Sequence, residues 1–303
     1  MTAGDVDGIL LYDKPAGVSS NGALQGVRRL LGARKAGHTG SLDPLASGVL
    51  PLCFGEATKV CGYLLGSDKR YQARLILGAR TESGDREAEI VERAPVPALT
   101  GELLTAATRG LTGPIQQVPP MRSALKHQGQ RLYALSRRGL TVAREARPVT
   151  VYALTVLSVD EAGSAIEFEV HCSKGTYIRT LGEDLARALG TVGHLASLRR
   201  TAVAPFLDAR LYTLAELEAH SRAGTILDCL LPLDAALPDW PRVDIDGDSA
   251  IAIRHGRAVD VAGAAPGARA RVYHAGRLLA LGQVGEPGTR LTPLRVFREN
   301  SRY

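Results

Sequence analysis

The chain has 303 residues, 45% of them hydrophobic and 22% charged, which is an ordinary globular composition and excludes a disordered or disulfide-dependent chain. The formal net charge of +6 weakly favours a polyanionic partner, although a solvated basic surface explains it equally well. Four scattered cysteines, Cys53, Cys61, Cys172 and Cys229, lack zinc-ligand or disulfide spacing, which predicts free thiols in a reducing cytosol.

No apolar run reaches the length of a membrane span, and the first five residues lack the regions of a signal peptide. We therefore expect a cytoplasmic protein that does not contact a membrane. The sequence contains no P-loop, dinucleotide fingerprint, nucleophile elbow or metal-ligand cluster. This predicts a reaction that needs neither a cofactor nor a metal.

The N-terminal half alternates between short apolar runs and amphipathic segments. A buried strand at residues 9–12 ends in a turn, and Ser20 or Asn21 can cap the helix that follows, which Gly32 stops. The apolar spacing predicts further strands at residues 49–54 and 71–77 and helices at 56–65 and 100–109.

Residues 34–51 form the most informative segment of the chain. It begins with two cations, Arg34 and Lys35, and contains a single carboxylate, Asp43, five residues after His38. An Asp-Pro pair is most often only a turn. Here the surrounding glycines permit close approach of a ligand, so the segment predicts a loop that presents one acid beside an anionic partner.

Residues 113–150 break the regular pattern, since they are rich in proline and in cations that include Lys126, Arg131, Arg144 and Arg147. A short helix is predicted at 132–138. Such a basic excursion within a compact domain is usually functional or disordered.

Two aromatic residues stand next to cations at the ends of predicted strands. Tyr71 follows Lys69 and Arg70, where it is either a core residue or a platform for base stacking. Tyr177 and Arg179 follow a predicted strand and open a helix at 176–189 that Thr176 could cap, and Arg179 could supply the counter-cation that Asp43 needs.

The rest of the chain continues with strands and one helix and ends in a β-type region. Strands are predicted at 149–159, 166–172 and 195–204, and Thr213 to Glu216 forms a capping box for another helix. A proline-rich linker at 231–241 precedes short β-type segments at 257–261, 269–274, 278–284 and 291–297, with Ala275-Gly276 as a hairpin turn.

Taken together, these motifs closely resemble the TruB family of tRNA pseudouridine synthases, bacterial type. The resemblance covers nearly the whole chain and rests on several long motifs in the same order: 8–20, 37–51, 55–59, 69–71, 123–126, 144–148 and 172–179. The chain departs from the family pattern at 82–88, where Asp85 could keep one role, and at Arg122.

The resemblance implies isomerisation of uridine to pseudouridine at position 55 in the T loop of tRNA. Asp43 then corresponds to the catalytic nucleophile, and Arg179 to the arginine that pairs with it. His38 corresponds to a contact with the substrate arm, and Tyr71 to the tyrosine that stacks on the target base. The remaining assignments are Tyr177 and Leu198 as pocket residues, Lys14 and Pro15 as support for the active-site loop, and Arg34, Lys35, Lys126, Arg131, Arg144 and Arg147 as contacts to the RNA backbone.

The same resemblance implies the fold: α+β (mixed), with a central, largely antiparallel sheet flanked by helices, plus a small β-rich, PUA-like C-terminal domain. We place the catalytic domain at 1–236, with the basic insert at about 113–150, and the PUA-like RNA-binding domain at 242–303. The expected partner is the T stem-loop of tRNA, and we expect a monomer with no cofactor, no metal and no obligate protein partner.

Three alternatives stay open from the sequence. Another RNA site could be the target, or the chain could be a non-catalytic RNA-binding protein that folds tRNA. A hydrolase that uses Asp43 lacks a second acid or a metal. For the isomerase, the sequence also leaves open whether Asp43 attacks the sugar or the base.

Overall fold

The computed structural model describes residues 6–298 except 124, 137, 263 and 264. Predictions that concern the first five residues, Ala124 or Arg137 lie outside the described residues. The side chains of Lys126, His127 and Arg131 are likewise not described, although their backbone is.

Seventeen strands form in the described residues. Their bounds are β1 (Gly8–Lys14), β2 (Ala36–His38), β3 (Ser47–Phe54), β4 (Lys69–Leu77), β5 (Ala79–Thr81), β6 (Ile90–Arg93), β7 (Gly113–Gln117), β8 (Lys126–His127), β9 (Gln130–Arg131), β10 (Arg147–Val159), β11 (Ala165–Cys172), β12 (Gly193–Val203), β13 (Arg242–Asp244), β14 (Val259–Asp260), β15 (Arg269–His274), β16 (Arg277–Val284) and β17 (Arg290–Val296).

The α-helices in the same residues are α1 (Ser20–Leu31), α2 (Cys61–Leu65), α3 (Gly101–Gly110), α4 (Leu132–Ser136), α5 (Ile178–Ala188), α6 (Leu214–Arg222) and α7 (Gly247–Arg254). None of these is both long and apolar enough to cross a membrane.

The central sheet has eight strands in the order β1-β3-β12-β4-β11-β10-β7, with β2 also paired to β3. Every pair is antiparallel except β12 with β3, so the predicted mixed α+β fold with a largely antiparallel sheet is confirmed. Strand β4 alternates between buried and exposed residues, and its buried side packs with α5 in one core cluster.

Helix ends depart from the sequence predictions at three places. Ser19, and neither Ser20 nor Asn21, caps α1, because its side chain accepts from the Gly22 N–H. Thr176 does not cap α5, since its hydroxyl donates to the Ser173 carbonyl and α5 begins after Tyr177. The helix predicted at 56–65 is divided into a 3-10 turn at 55–59 and the short α2. The capping box of Thr213 and Glu216 is confirmed.

The C-terminal part forms a separate five-stranded sheet in the order β13-β15-β16-β17-β14, which confirms the predicted β-rich character. Helix α7 was not predicted. Ala275 and Gly276 both have positive φ and turn the β15–β16 hairpin as expected. Tyr273 and Phe297 share one buried apolar cluster with Ile9 and Leu11 of β1, so the two sheets are packed together. The domain division at 236 and 242 stays a prediction.

Candidate active site

Asp43 lies in the loop that joins β2 to β3, and its side chain is 39% exposed. It borders a cavity of about 430 Å³ that is also lined by Ser41, Glu87, Ser123 and Tyr133. A cavity of this size can take one nucleobase-sized group. The carboxylate is therefore open to a ligand, while the loop around it has buried apolar residues, Leu42 and Leu45.

The Asp43 loop is fastened on both sides of the carboxylate to the turn between β1 and α1. The Ser20 hydroxyl accepts from the Leu42 N–H at 2.8 Å and lies 2.9 Å from the Leu42 carbonyl, to which it donates. The Gly17 N–H donates to the Pro44 carbonyl at 2.7 Å. These contacts limit the movement of a loop that has no secondary structure of its own.

Lys14 ends β1 and is fully buried beneath the same turn. Its Nζ donates to the carbonyls of Pro15 at 2.8 Å and Val18 at 2.6 Å, and it lies 3.4 Å from that of Pro44. Burial lowers the pKa of Lys14 to about 8, against the nearby charge of Asp43, which raises it. Lys14 therefore contacts both Pro15 and the Asp43 loop, in line with the predicted support of that loop.

Replacing Ser20 by alanine should loosen the Asp43 loop. The change leaves the buried Leu42 N–H and carbonyl without their partner, at a cost of about 1–3 kcal/mol in the free energy of unfolding. Urea denaturation measures that cost. Ser158→Ala, at an exposed position of β10, is the matched control and should change stability by less than about 0.5 kcal/mol. Equal effects of the two substitutions would contradict the assigned role of Ser20.

Arg179, in the first turn of α5, holds two carboxylates. Its Nε lies 2.9 Å from Asp43 Oδ2 and 3.7 Å from Asp85 Oδ2. Its Nη1 donates to the Ser83 carbonyl at 3.0 Å and its Nη2 to the Arg122 carbonyl at 2.7 Å. Because the Arg179 and Asp85 side chains are each only 4% exposed, this guanidinium is fixed by the protein before any ligand arrives.

The electrostatics of Asp43 combine opposing effects. Desolvation raises the pKa of this carboxyl, Arg179 and Lys14 lower it, and the Asp85 carboxylate raises it again, with a net rise above the ordinary value. Glu87 faces the same two carboxylates, and its pKa is raised by desolvation and by their charges. A nucleophile with a raised pKa keeps more of its basicity than an ordinary surface aspartate.

Two further predicted site residues, Tyr71 and His38, lie on strands of the central sheet. Tyr71 is buried on β4 in the core cluster that also contains Leu42 and Leu45, and desolvation raises the pKa of its phenol. His38 ends β2, and desolvation and the charge of Arg200 lower the pKa of its imidazole. The Nδ1 of His38 is buried and has no hydrogen-bond partner among the described residues.

Tyr177 and Leu198 also reach this region. The side-chain amide of Gln117 on β7 makes two hydrogen bonds to the Tyr177 backbone. Its oxygen accepts from the Tyr177 N–H at 2.9 Å, and its nitrogen donates to the Tyr177 carbonyl at 3.3 Å. Leu198 on β12 is 7% exposed and belongs to the same core cluster as Tyr71. No group of three His, Cys, Asp or Glu side chains in the described part of the chain is placed to hold a metal ion.

Comparison with known proteins adds the family. A sequence profile described as "TruB family pseudouridylate synthase (N terminal domain)" matches residues 28–178. Profiles described as "tRNA pseudouridylate synthase B C-terminal domain" and "Pseudouridine synthase II TruB, C-terminal" match 179–238 and 241–297. The "tRNA pseudouridine synthase B" of Nitrosococcus oceani is 46% identical over 300 residues, covering 98% of this chain and 96% of that protein. The chain belongs to the TruB family.

Other relatives agree with this TruB assignment. The "tRNA pseudouridine synthase B" of Ectopseudomonas mendocina is 50% identical over 296 residues, covering 96% of this chain and 95% of that protein. The solved structure titled "Crystal Structure of a Cbf5-Nop10-Gar1 Complex" aligns with a TM-score of 0.72 and 28% identity, covering 97% of this chain and 84% of that chain. The predicted family, and the predicted enzyme class of a pseudouridine synthase, an isomerase, are confirmed.

The basic residues predicted to contact RNA lie on several different segments of this TruB chain. Arg34 and Lys35 are exposed just before β2, and Arg147 is exposed at the start of β10. Arg144 is half-buried and donates to the Pro119 carbonyl at 3.0 Å. The backbone of Lys126 and Arg131 pairs in the small β8–β9 hairpin. Their contacts to RNA stay predictions.

Several residues that form the site were not predicted to do so. Arg200, Gln117 and Ser20 are all buried polar groups, and Asp85 was noted only as a departure from the TruB pattern. Arg200 gave one signal, because a cation at an inward position of an apolar strand must have a buried partner. Ser20 gave none beyond its role as a possible cap.

Proposed function

We propose that the protein converts uridine to pseudouridine at position 55 in the T loop of tRNA, with Asp43 as nucleophile and without a cofactor. The observation that carries this proposal is the pairing of Asp43 with the buried Arg179 at 2.9 Å, at the edge of an open cavity. The TruB membership of the chain supports the reaction and the substrate class.

The reaction moves the same base from one bond to another. The N1–C1′ glycosidic bond breaks, the uracil turns, and a C5–C1′ bond forms while C5 loses a proton and N1 gains one. Product and substrate are isomers, so no oxidant, reductant or leaving group is required. One carboxylate that attacks the sugar or the base and is later released divides this change into easier steps.

Arg179 keeps the carboxylate in the form that attacks. Its guanidinium stabilises the charge on Asp43 and fixes the direction of the Oδ2 atom. Asp85 lies 3.7 Å from the same Nε, so the buried guanidinium keeps a second carboxylate as partner if Asp43 moves toward the base. This second contact would hold Arg179 in place during the attack.

The base must leave the stacked T loop before Asp43 can reach it, at a cost of about a few kcal/mol. We assign the stacking on the flipped base to Tyr71 and the contact with the displaced RNA to His38. Tyr177 and Leu198 would close the pocket around the base. We further propose that the protein is a monomer, that it acts in the cytoplasm and that it needs no other protein.

Release of tritium from C5-labelled uridine in a tRNA transcript tests the function. Release is expected with the unmodified sequence and should vanish when the T-loop target uridine is replaced by cytidine. Release that persists after this replacement would favour a different RNA site. Binding of tRNA without any release would favour a non-catalytic RNA-binding protein.

The activity should show an acidic limb at higher pH than an ordinary aspartate gives. Asp43 must be ionised to attack, and its pKa is raised, so the single-turnover rate falls as pH drops through that raised value. Asp85→Asn removes a negative charge that raises this pKa and should move the limb to lower pH. Glu89→Gln, an exposed acid on the same segment, is the control and should leave the limb in place.

Binding of tRNA should weaken as salt increases. Each phosphate contact made by Arg34, Lys35, Arg144 or Arg147 contributes a slope of about −0.9 to the plot of log affinity against log salt. Nitrocellulose filter binding from 50 to 200 mM salt measures this slope, and Arg147→Gln should reduce it by about one. Arg109→Gln, at an exposed position of α3 and not among the predicted RNA contacts, provides the comparison. A flat salt dependence would contradict a mostly electrostatic grip on the RNA by these residues.

A further inference from the structure

Arg200 is a fully buried charged residue in the middle of the central sheet. It lies on β12 with 1% exposure. In the sheet register it pairs with Tyr71 on β4 and with Gly48 on β3, so it stands between the strand of the tyrosine and the strand that leaves the Asp43 loop. Burying a guanidinium is costly unless its donors are satisfied, so its contacts must repay that cost.

Those contacts reach three separate parts of the site. Arg200 Nε donates to the Val49 carbonyl at 2.7 Å and Nη2 to the Gly40 carbonyl at 3.0 Å. The third contact is with Tyr71, the cross-strand partner of Arg200, whose side chain stands on the same face of the sheet. The backbones of β3 and β12 are also packed closely here, since a Cβ at Gly48 would lie 2.1 Å from the Arg200 carbonyl oxygen.

We propose that Arg200 is a positioning residue of the isomerisation, which fixes the Tyr71 ring relative to both ends of the loop that carries Asp43. The inference rests on the proposed function, because this relation matters only if a base lies between ring and carboxylate. Arg200 is closed off from solvent, so it acts through Tyr71 and the two carbonyls without contact to RNA. A misplacement of about 1 Å in such a constellation can reduce a rate by about 10²-fold.

A planar guanidinium is suited to this task in a way that an ammonium is not. Arg200 bonds through different nitrogens to two carbonyls of separate segments while it lies beside Tyr71, whereas a lysine has one flexible nitrogen and cannot span them. Its charge also opposes the rise that burial causes in the pKa of Tyr71. Arg200→Lys keeps the charge and removes the geometry, so it separates these two contributions.

The test measures single-turnover pseudouridine formation, tRNA affinity and urea stability for Arg200→Lys, Tyr71→Phe and the double variant. Arg200→Lys should slow the chemical step at least about 10-fold and leave the dissociation constant for tRNA within about 3-fold. In the Tyr71→Phe background the same change should add less than about 3-fold, because the phenol group on which the neighbouring guanidinium acts is already gone. Arg199→Met is the control, since that neighbouring arginine is 44% exposed and pairs with Asp13.

Each outcome decides the proposal. Full activity of Arg200→Lys, or an equal loss in both backgrounds, overturns it, as does weaker tRNA binding with an unchanged rate. If Arg200→Lys does not fold, Tyr71→Phe decides alone: it must slow turnover without weakening binding, and a wild-type rate overturns the proposal. If Tyr71→Phe is inactive, a crystal structure of Arg200→Lys decides by whether the Tyr71 ring has moved. An inactive wild type would instead count against the proposed function.

Discussion

Asp43→Asn should abolish pseudouridine formation and leave tRNA binding nearly unchanged. The substitution keeps the shape of the side chain but removes the carboxylate that we propose as the nucleophile, and loss of a nucleophile costs on the order of 10⁴-fold or more in rate. The protein should still fold, because Arg179 keeps Asp85 as its buried counter-charge at 3.7 Å. Tritium release and filter binding on the same preparation measure the two effects.

A suitable control for this change is Asp239→Asn, an exposed acid in the segment between the two sheets. It removes the same charge from the chain and should leave rate and affinity within about 2-fold of the wild type. Residual activity of Asp43→Asn above about 1% would show that another group attacks. Of the nearby acids, Glu87 would then be the first to test, because it lines the same cavity.

Arg179→Met should affect stability and activity together. Its removal leaves Asp85 buried without a cation and breaks the donations to the Ser83 and Arg122 carbonyls, at a cost of about 3–5 kcal/mol in the free energy of unfolding. The two carboxylates then repel each other, so the pKa of Asp43 should rise further and the rate at neutral pH should fall at least about 10²-fold.

Arg187→Met on the same helix is the matched comparison for Arg179→Met. Arg187 has a side chain that is 61% exposed and forms an ion pair with Asp184 one turn earlier, so its loss should cost less than about 1 kcal/mol. Urea denaturation separates the two variants. Activity lost without any loss of stability at Arg179 would mean that the Asp85 pair contributes little to folding.

Much of the fold could be predicted from periodicity alone. The alternation of β4 and the apolar face of α1 are decided by local sequence, because one side of each element is buried against the core. The capping box could also be predicted from local sequence, since Thr213 and Glu216 are three residues apart.

The remaining features depend on contacts between distant parts of the chain. Arg200 bonds to Gly40, which is 160 residues away, and the Ser20 hydroxyl at the start of α1 bonds to Leu42, which is 22 residues away. No local pattern encodes such pairs. Thr176 shows the opposite failure: its sequence favours a cap, but the Ser173 carbonyl lies within 3.0 Å and takes its hydroxyl.

Strand β1 has a further consequence for how the chain could be shortened. Its Ile9 and Leu11 belong to one buried apolar cluster with Tyr273 and Phe297 of the C-terminal sheet, while its last residue, Lys14, supports the Asp43 loop. Deleting the C-terminal sheet would remove part of the cluster that covers the strand ending beneath the loop. We therefore expect a truncated catalytic half to be less stable than the full chain and to need new polar residues on β1 before its own activity could be assessed.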